Sequence, residues 1–206
     1  MLTVKESSSS ITKYAAVVIT GASGFIGRSL VKKLSKDKNN YIIAIDNDQR
    51  GDFLKTYNLD LFKKLNLNFV PQESYLSNSY LNVIRGMHYQ IGSFAHDKVV
   101  TCFKGKVLDV VVDIRIDSPN FNKPISFVLN EDNPHAIFIG KGYAHGFLSL
   151  SDNSIMQYMT STFYSPNFDC GVLWSSIDFE WPISNPILSE RDKTHPKIGK
   201  HRCEFF

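Results

Sequence analysis

Residues 83–90 (VIRGMHYQ) place a permanent cation, a glycine and a histidine within four positions of an apolar, strand-like run. Arg85 carries a planar guanidinium whose fork of donors suits a phosphate. His88 carries the side chain whose ordinary pKa lies nearest neutrality. One could hold an anion while the other moves a proton, which points to an enzyme site. A lone histidine on a strand is more often a hydrogen-bonded core or surface residue, so the surrounding elements must carry the argument.

Those elements are mostly short strands. From residue 49 onward, period-two alternation interrupted by turn residues predicts an antiparallel sandwich or barrel. In residues 106–115 (KVLDVVVDIR), Leu108, Val110, Val112 and Ile114 share one face, while Val107, Asp109, Val111, Asp113 and Arg115 share the other. One face is expected to pack and the other to carry charge. In residues 154–164 (SIMQYMTSTFY), Met156, Tyr158, Thr160, Thr162 and Tyr164 form a hydroxyl-rich face. A small barrel closed with these faces inward would enclose a polar pocket. Residues 54–65 are the one short helix expected in this part of the chain.

Composition narrows the class. At 206 residues and 43% hydrophobic content the chain can bury a sizeable core. The net charge of +3 comes from scattered Lys and Arg, without the dense basic run of a nucleic-acid binder, and suits an anionic small molecule. Cys102, Cys170 and Cys203 are odd in number and lack CxxC spacing, so neither a disulfide framework nor a structural zinc site is expected. No apolar run reaches membrane-spanning length and the opening residues lack a secretory pattern. A cytoplasmic location is the expectation.

The first residues differ in character. Residues 1–13 read as a polar tail. Residues 14–20 (YAAVVIT) and 41–45 (YIIAI) predict two buried strands, with a glycine turn at 21–27 (GASGFIG), a helix over 25–34, and Asp46 closing the second strand. TGASGFIG resembles the opening of the extended short-chain dehydrogenases, whose glycines approach a dinucleotide pyrophosphate. A dinucleotide site also needs a parallel sheet of several strands, and no further alternating strand and helix units follow. No NAD binding is therefore expected, and residues 1–48 read as an extension bearing a Rossmann-like fragment before a domain at 49–206.

Several motifs occur in register: RGDFLKTYN (50–58), VIRGMHYQ (83–90), DKVVTCFKGKVLDVVVDIRIDSP (97–119), GYAHGF (142–147), QYMTSTFYSP (157–166) and LSERD (188–192). From about residue 48 to 196 the chain resembles the RmlC-type cupins, the dTDP-4-dehydrorhamnose 3,5-epimerase family. The resemblance implies an all-β, double-stranded β-helix jelly roll, a homodimer, and action on a nucleotide-linked 4-keto-6-deoxy sugar. No cofactor is implied. A ketone at sugar carbon 4 acidifies the protons on carbons 3 and 5, so epimerisation needs a base on one face, an acid on the other and a group to hold the enolate.

By the same resemblance His88 matches the base, Asp192 its carboxylate partner, Tyr158 the general acid and Lys98 the lysine near the keto oxygen. Tyr164 matches a second pocket tyrosine. Along a straight strand it would lie about 20 Å from Tyr158, so it is assigned a substrate or packing role. His145 is assigned to orientation or electrostatics. Arg50 and Arg85 match the diphosphate-binding arginines. Gln72 corresponds to a glutamine near the nucleotide, one residue further from Arg85 than the pattern expects, and Lys55 stands where an acidic residue contacts the base.

Metal-binding cupins carry two histidines one residue apart where this chain has His88 and Gln90, so no catalytic metal is expected. His96, His135, His195 and His201 show no ligand spacing and read as solvated. Two rival functions are a cupin 3,4-ketoisomerase of a nucleotide sugar, disfavoured by Gln90, and a non-catalytic cupin binding a nucleotide sugar or a dehydrogenase-like partner.

Overall fold

A computed structural model describes residues 15–20 and 42–45 as backbone, and residues 55–132 and 134–205 with side chains. Two sheets face each other. The six-stranded sheet runs β2 (Ile42–Ile45), β1 (Ala15–Thr20), β8 (Ala136–Ile139), β5 (Lys98–Lys104), β10 (Ser154–Thr160) and β3 (Glu73–Ser79). The five-stranded sheet runs β11 (Asp169–Gly171), β4 (Ile84–Gln90), β9 (Tyr143–Ser149), β6 (Lys106–Asp113) and β7 (Pro124–Asn130). All pairings are antiparallel except β1 with β2. This is the antiparallel two-sheet architecture expected from the alternation, in the jelly-roll form that the resemblance implies.

Three apolar layers follow from that alternation. Between the sheets lie Val100, Cys102, Val107, Ile137, Ile139, Phe147, Met156 and Tyr158. The opposite faces of the same strands are also covered. Val99, Ala136, Phe138 and Met159 pack under α1 (Leu59–Lys64), whose Phe62 is fully buried. Burying such a ring contributes about 1.5–3 kcal/mol. Asn58 caps this helix by accepting a hydrogen bond from the Leu61 N–H. On the far side, Ile84, Met87, Val110, Val112 and Ile114 pack against Val172, Ile177, Trp181 and Phe205 from the C-terminal segment.

That C-terminal cover accounts for the inward charged face expected of β6. The charged face of β6 does not meet solvent: Asp109 is 0% exposed and Asp113 1%. Each carboxylate is paired with a distant part of the chain or a following turn, Asp109 through Oδ2 with His145 and Asp113 with Arg115 and Ser118. The face that packs on the C-terminal segment is the outer one, so the carboxylates point inward.

β1 joins β8 antiparallel while pairing parallel with β2. The dehydrogenase-like opening thus contributes two strands to the edge of the six-stranded sheet. The helix read at 25–34, the glycine turn, Asp46 and Arg50 lie outside the described residues. Among the described residues no helix is long and apolar enough to cross a membrane. Cys102, Cys170 and Cys203 are free thiols, as their number and spacing suggest.

Candidate active site

The interior of the barrel opens into a pocket of about 370 Å³ lined by both sheets. Arg85, His88 and Gln90 reach it from β4, and His145 from β9. Lys98 reaches it from β5 and Tyr158 and Thr160 from β10. A regular strand would send residues 85 and 88 to opposite faces. The β4–β9 register instead pairs Arg85 with Phe147 and His88 with His145, so Gly86 and Met87 stand opposite Gly146 alone. This extra residue resets the alternation and turns the cation and the imidazole to one side. Glycine is required on both strands. A Cβ on Gly86 would lie 2.6 Å from the Gly146 Cα, and one on Gly146 would lie 2.7 Å from both the Arg85 carbonyl oxygen and the Met87 sulfur.

His88 meets its partner from the far end of the chain. Ser189 caps α2 (Glu190–Thr194) by accepting from the Asp192 N–H at 3.1 Å. This cap presents Asp192, 2% exposed, to the His88 Nε2 at 2.5 Å. Burial favours a neutral His88, and the Asp192 carboxylate partly opposes it; the net direction is downward. Burial would raise the Asp192 pKa, but the neighbouring His195 imidazole and the hydrogen bonds with His88 and Ser189 outweigh it and hold the carboxyl well below its usual range. A carboxylate facing Nε2 keeps the proton there and leaves Nδ1 as the nitrogen able to accept another.

The opposite sheet supplies a buried phenol and a cation. Tyr158 is 8% exposed, stacks on Tyr75 at 4.8 Å between ring centroids, and lies 3.3 Å from the Ser77 hydroxyl. Burial pushes its phenol far up, so it stays protonated. Lys98 is 7% exposed and donates from Nζ to the His88 carbonyl at 3.3 Å. Burial lowers its pKa to about 8, against the pull of Asp169 and Asp109. His145 Nε2 lies 2.7 Å from Asp109 Oδ2 in a fully buried pair, with its ring 6.1 Å from that of Tyr158. The arrangement can remove a proton from one side of a bound carbon, return one from the other, and stabilise an oxyanion between.

Tyr164 departs from its expected separation. β10 ends at Thr160, whose hydroxyl donates to the Thr162 carbonyl while the Thr162 hydroxyl donates to that of Phe94. The chain bends there, and Tyr164 returns to line the same pocket, 54% exposed, with its N–H on Glu73. Arg85 uses Nε on Ser79 and Nη2 on the Asn78 carbonyl, leaving further donors of its fork towards the pocket. Gln72 is exposed and outside the pocket; Glu73, next along β3, lines it instead. Lys55 is exposed and lies outside the pocket as well.

Three of the four histidines read as solvated, His96, His195 and His201, are not. His96 lines the pocket, with burial lowering its pKa to about 3. His195 is packed against Gly171, and His201 is buried with Nε2 2.7 Å from the Ile114 carbonyl. Sequence reading also missed Asp169 and Arg191, which pair at 2.8 Å in the pocket wall, and Asp109, the partner of His145. Arg191 adjoins Asp192 in LSERD, but its carboxylate partner lies 22 residues away and left no local signal. Gln90 spends its amide on the Phe94 and Phe163 carbonyls and accepts from the Ser165 N–H, so it braces the loop after β10.

Comparison with known proteins agrees with this geometry. Residues 38–200 match the family described as dTDP-4-dehydrorhamnose 3,5-epimerase. The chain belongs to that family. It is 43% identical over 152 residues to the dTDP-4-dehydrorhamnose 3,5-epimerase of Escherichia coli K12, covering 71% of this chain and 81% of that one. It is 34% identical over 149 residues to the dTDP-4-dehydrorhamnose 3-epimerase of Streptomyces niveus, covering 71% and 72%. The crystal structure of the 3,5-epimerase from Bacillus anthracis Ames, with TDP and PPi bound, superposes with a TM-score of 0.69. Its identity is 34%, and the match covers 73% of this chain and 87% of that one. The double-stranded β-helix is accordingly the cupin fold of the RmlC-type epimerases.

Proposed function

We propose that the chain epimerises a nucleotide-linked 4-keto-6-deoxy sugar, without a cofactor, by proton removal and return beside the ketone. The observation that carries this is the 2.5 Å His88–Asp192 bond facing a pocket whose other wall holds Tyr158 and Lys98. His88 Nδ1 takes the proton from carbon 3 or 5, and the C–H electron pair moves onto the carbon 4 oxygen as an enolate. Asp192 stabilises the imidazolium so formed. The Lys98 ammonium stabilises the enolate oxygen. Tyr158 then returns a proton to carbon from the opposite face, inverting the centre.

Arg85 holds the diphosphate, with Arg50 assigned to the same task by the family pattern. His145, fixed by Asp109, and Tyr164 orient the sugar. Gln72 lies off the pocket wall, which counts against its contact with the nucleotide. The division into an extension at 1–48 and a cupin domain at 49–206, a cytoplasmic location and a homodimer complete the reading. Exposed Leu76 and Tyr80 on and beside the terminal strand β3 support the dimer. The ketoisomerase reading is disfavoured because Gln90 is consumed by backbone contacts.

The test is proton NMR of dTDP-4-keto-6-deoxyglucose in deuterated water with purified protein alone. Deuterium should enter at carbons 3 and 5. Entry at carbon 3 only would make it a single-centre enzyme like the Streptomyces relative's name. No exchange with this or a related nucleotide sugar would refute the epimerase reading.

A further inference from the structure

Asp192 serves more than one imidazole. Its Oδ1 lies 2.5 Å from His88 Nε2 and 3.4 Å from His195 Nε2, and one donor atom from each of the three residues falls within 4.8 Å of the others. The His88 and His195 rings meet edge to face at 5.6 Å. His195 is held there because residue 171 is glycine: a Cβ at that position would lie 2.3 Å from its Nε2. That Nε2 is buried and makes no hydrogen bond of good geometry. His195 does not line the substrate pocket, whereas His88 does and is 30% exposed to it.

Two imidazole nitrogens and one carboxylate oxygen supply three of the donors of a four-coordinate zinc site. The 3.4 Å separation of His195 and Asp192 already matches the edge of a tetrahedron with bonds of about 2.0–2.1 Å. Closing the site requires the His88–Asp192 contact to open by under about 1 Å and the two imidazole donors, within 4.8 Å, to settle at a similar edge length. We propose that His88, Asp192 and His195 bind zinc, and that this binding reversibly inhibits the enzyme.

Inhibition follows from the tautomer. In the working state the His88 proton sits on Nε2, facing Asp192, and Nδ1 holds the lone pair. A metal on Nε2 displaces that proton to Nδ1. The nitrogen that accepts the substrate proton is then capped, and the carboxylate that would stabilise the imidazolium is committed to the metal. The metal is a blocker, distinct from the cofactor-free chemistry, and this consequence rests on the assignment of His88 as the base.

The test uses zinc on the whole chain, with wild type and His195→Gln compared. Competition against a chromophoric zinc chelator should report one bound ion per chain, and the variant should bind about tenfold more weakly or worse. In the deuterium-exchange assay zinc should stop the wild type, EDTA should restore it, and His195→Gln should exchange in zinc concentrations that silence the wild type. Equal zinc affinity in the two proteins would overturn the site, and zinc binding without loss of exchange would overturn the inhibition. Chelator competition needs no turnover, so a protein inactive on the sugar would still report whether the site exists.

Discussion

Replacing Asp192 with Asn would keep the shape of the His88 partner and remove its charge. At 2.5 Å, with the carboxylate side chain 3% exposed, the contact is charge-assisted. Such bonds contribute about 1.5–3 kcal/mol. The charge matters most as His88 becomes imidazolium, so its loss falls on the transition state and slows exchange roughly 10- to 150-fold. If the amide turned its NH2 towards Nε2, the wrong tautomer would be fixed and the loss would approach about 10⁴-fold. The pH profile supplies an independent sign. Burial lowers the His88 pKa and Asp192 raises it; without the carboxylate, burial acts unopposed and the pKa falls further. The neutral base then survives to lower pH, so the acid limb of the exchange rate should shift to lower pH while the plateau drops. Deuterium incorporation measured across the acid and neutral range, for both proteins, reads both quantities. An unchanged plateau, or an acid limb that moved upward, would refute the pairing as the source of the base.

Tyr158→Phe should slow net inversion by about 10²–10⁴-fold while washing out the first proton much less, because the ring stays stacked on Tyr75 and only the donor is lost; NMR in deuterated water separates the two rates, and equal losses would make Tyr158 a positioning group. Lys98→Met should cost about 10²–10³-fold. Because burial brings the lysine to about 8, the wild-type rate should fall as pH rises through that value and the ammonium is lost, a limb that the Met variant should lack. Gly146→Ala should lower the melting temperature. Its Cβ would meet the Arg85 carbonyl at 2.7 Å, a clash of the kind that costs about 1–3 kcal/mol, or roughly 2–12 °C for a domain of this size. An unchanged transition by circular dichroism would show that β4 and β9 can separate freely.

The strands were legible because their alternation is set by burial on local faces, and the motif order around His88, Tyr158 and Asp192 was legible as a family resemblance. Other features depend on contacts distant in sequence. Residues 154–164 alternate in hydroxyls without a break, yet the strand ends at Thr160 because Thr160 and Thr162 turn their hydroxyls onto backbone carbonyls. That bend brings Tyr164 back to the pocket. The alternation of β6 separated a packing face from a charged one, but it could not name the C-terminal segment that covers the packing face and turns the carboxylates inward. His195 showed no ligand spacing because its neighbours, His88 and Gly171, come from other strands.

The two-sheet architecture bears directly on stereochemistry. Inversion requires that the proton leave one face of a carbon and return to the other, so base and acid cannot share a wall. His88 stands on β4 in the five-stranded sheet and Tyr158 on β10 in the six-stranded sheet. Lys98 on β5 is the cross-strand neighbour of Thr160 on β10, yet its Nζ reaches across to the His88 carbonyl. The cation is therefore tied to both walls, where an enolate oxygen shared by both half-reactions would need it. Packing of Phe147 and Met156 between the sheets fixes their separation. In this fold the distance between His88 and Tyr158, the proposed base and acid, is set by core side chains, so enlarging or shrinking that layer should alter inversion relative to exchange without touching either group.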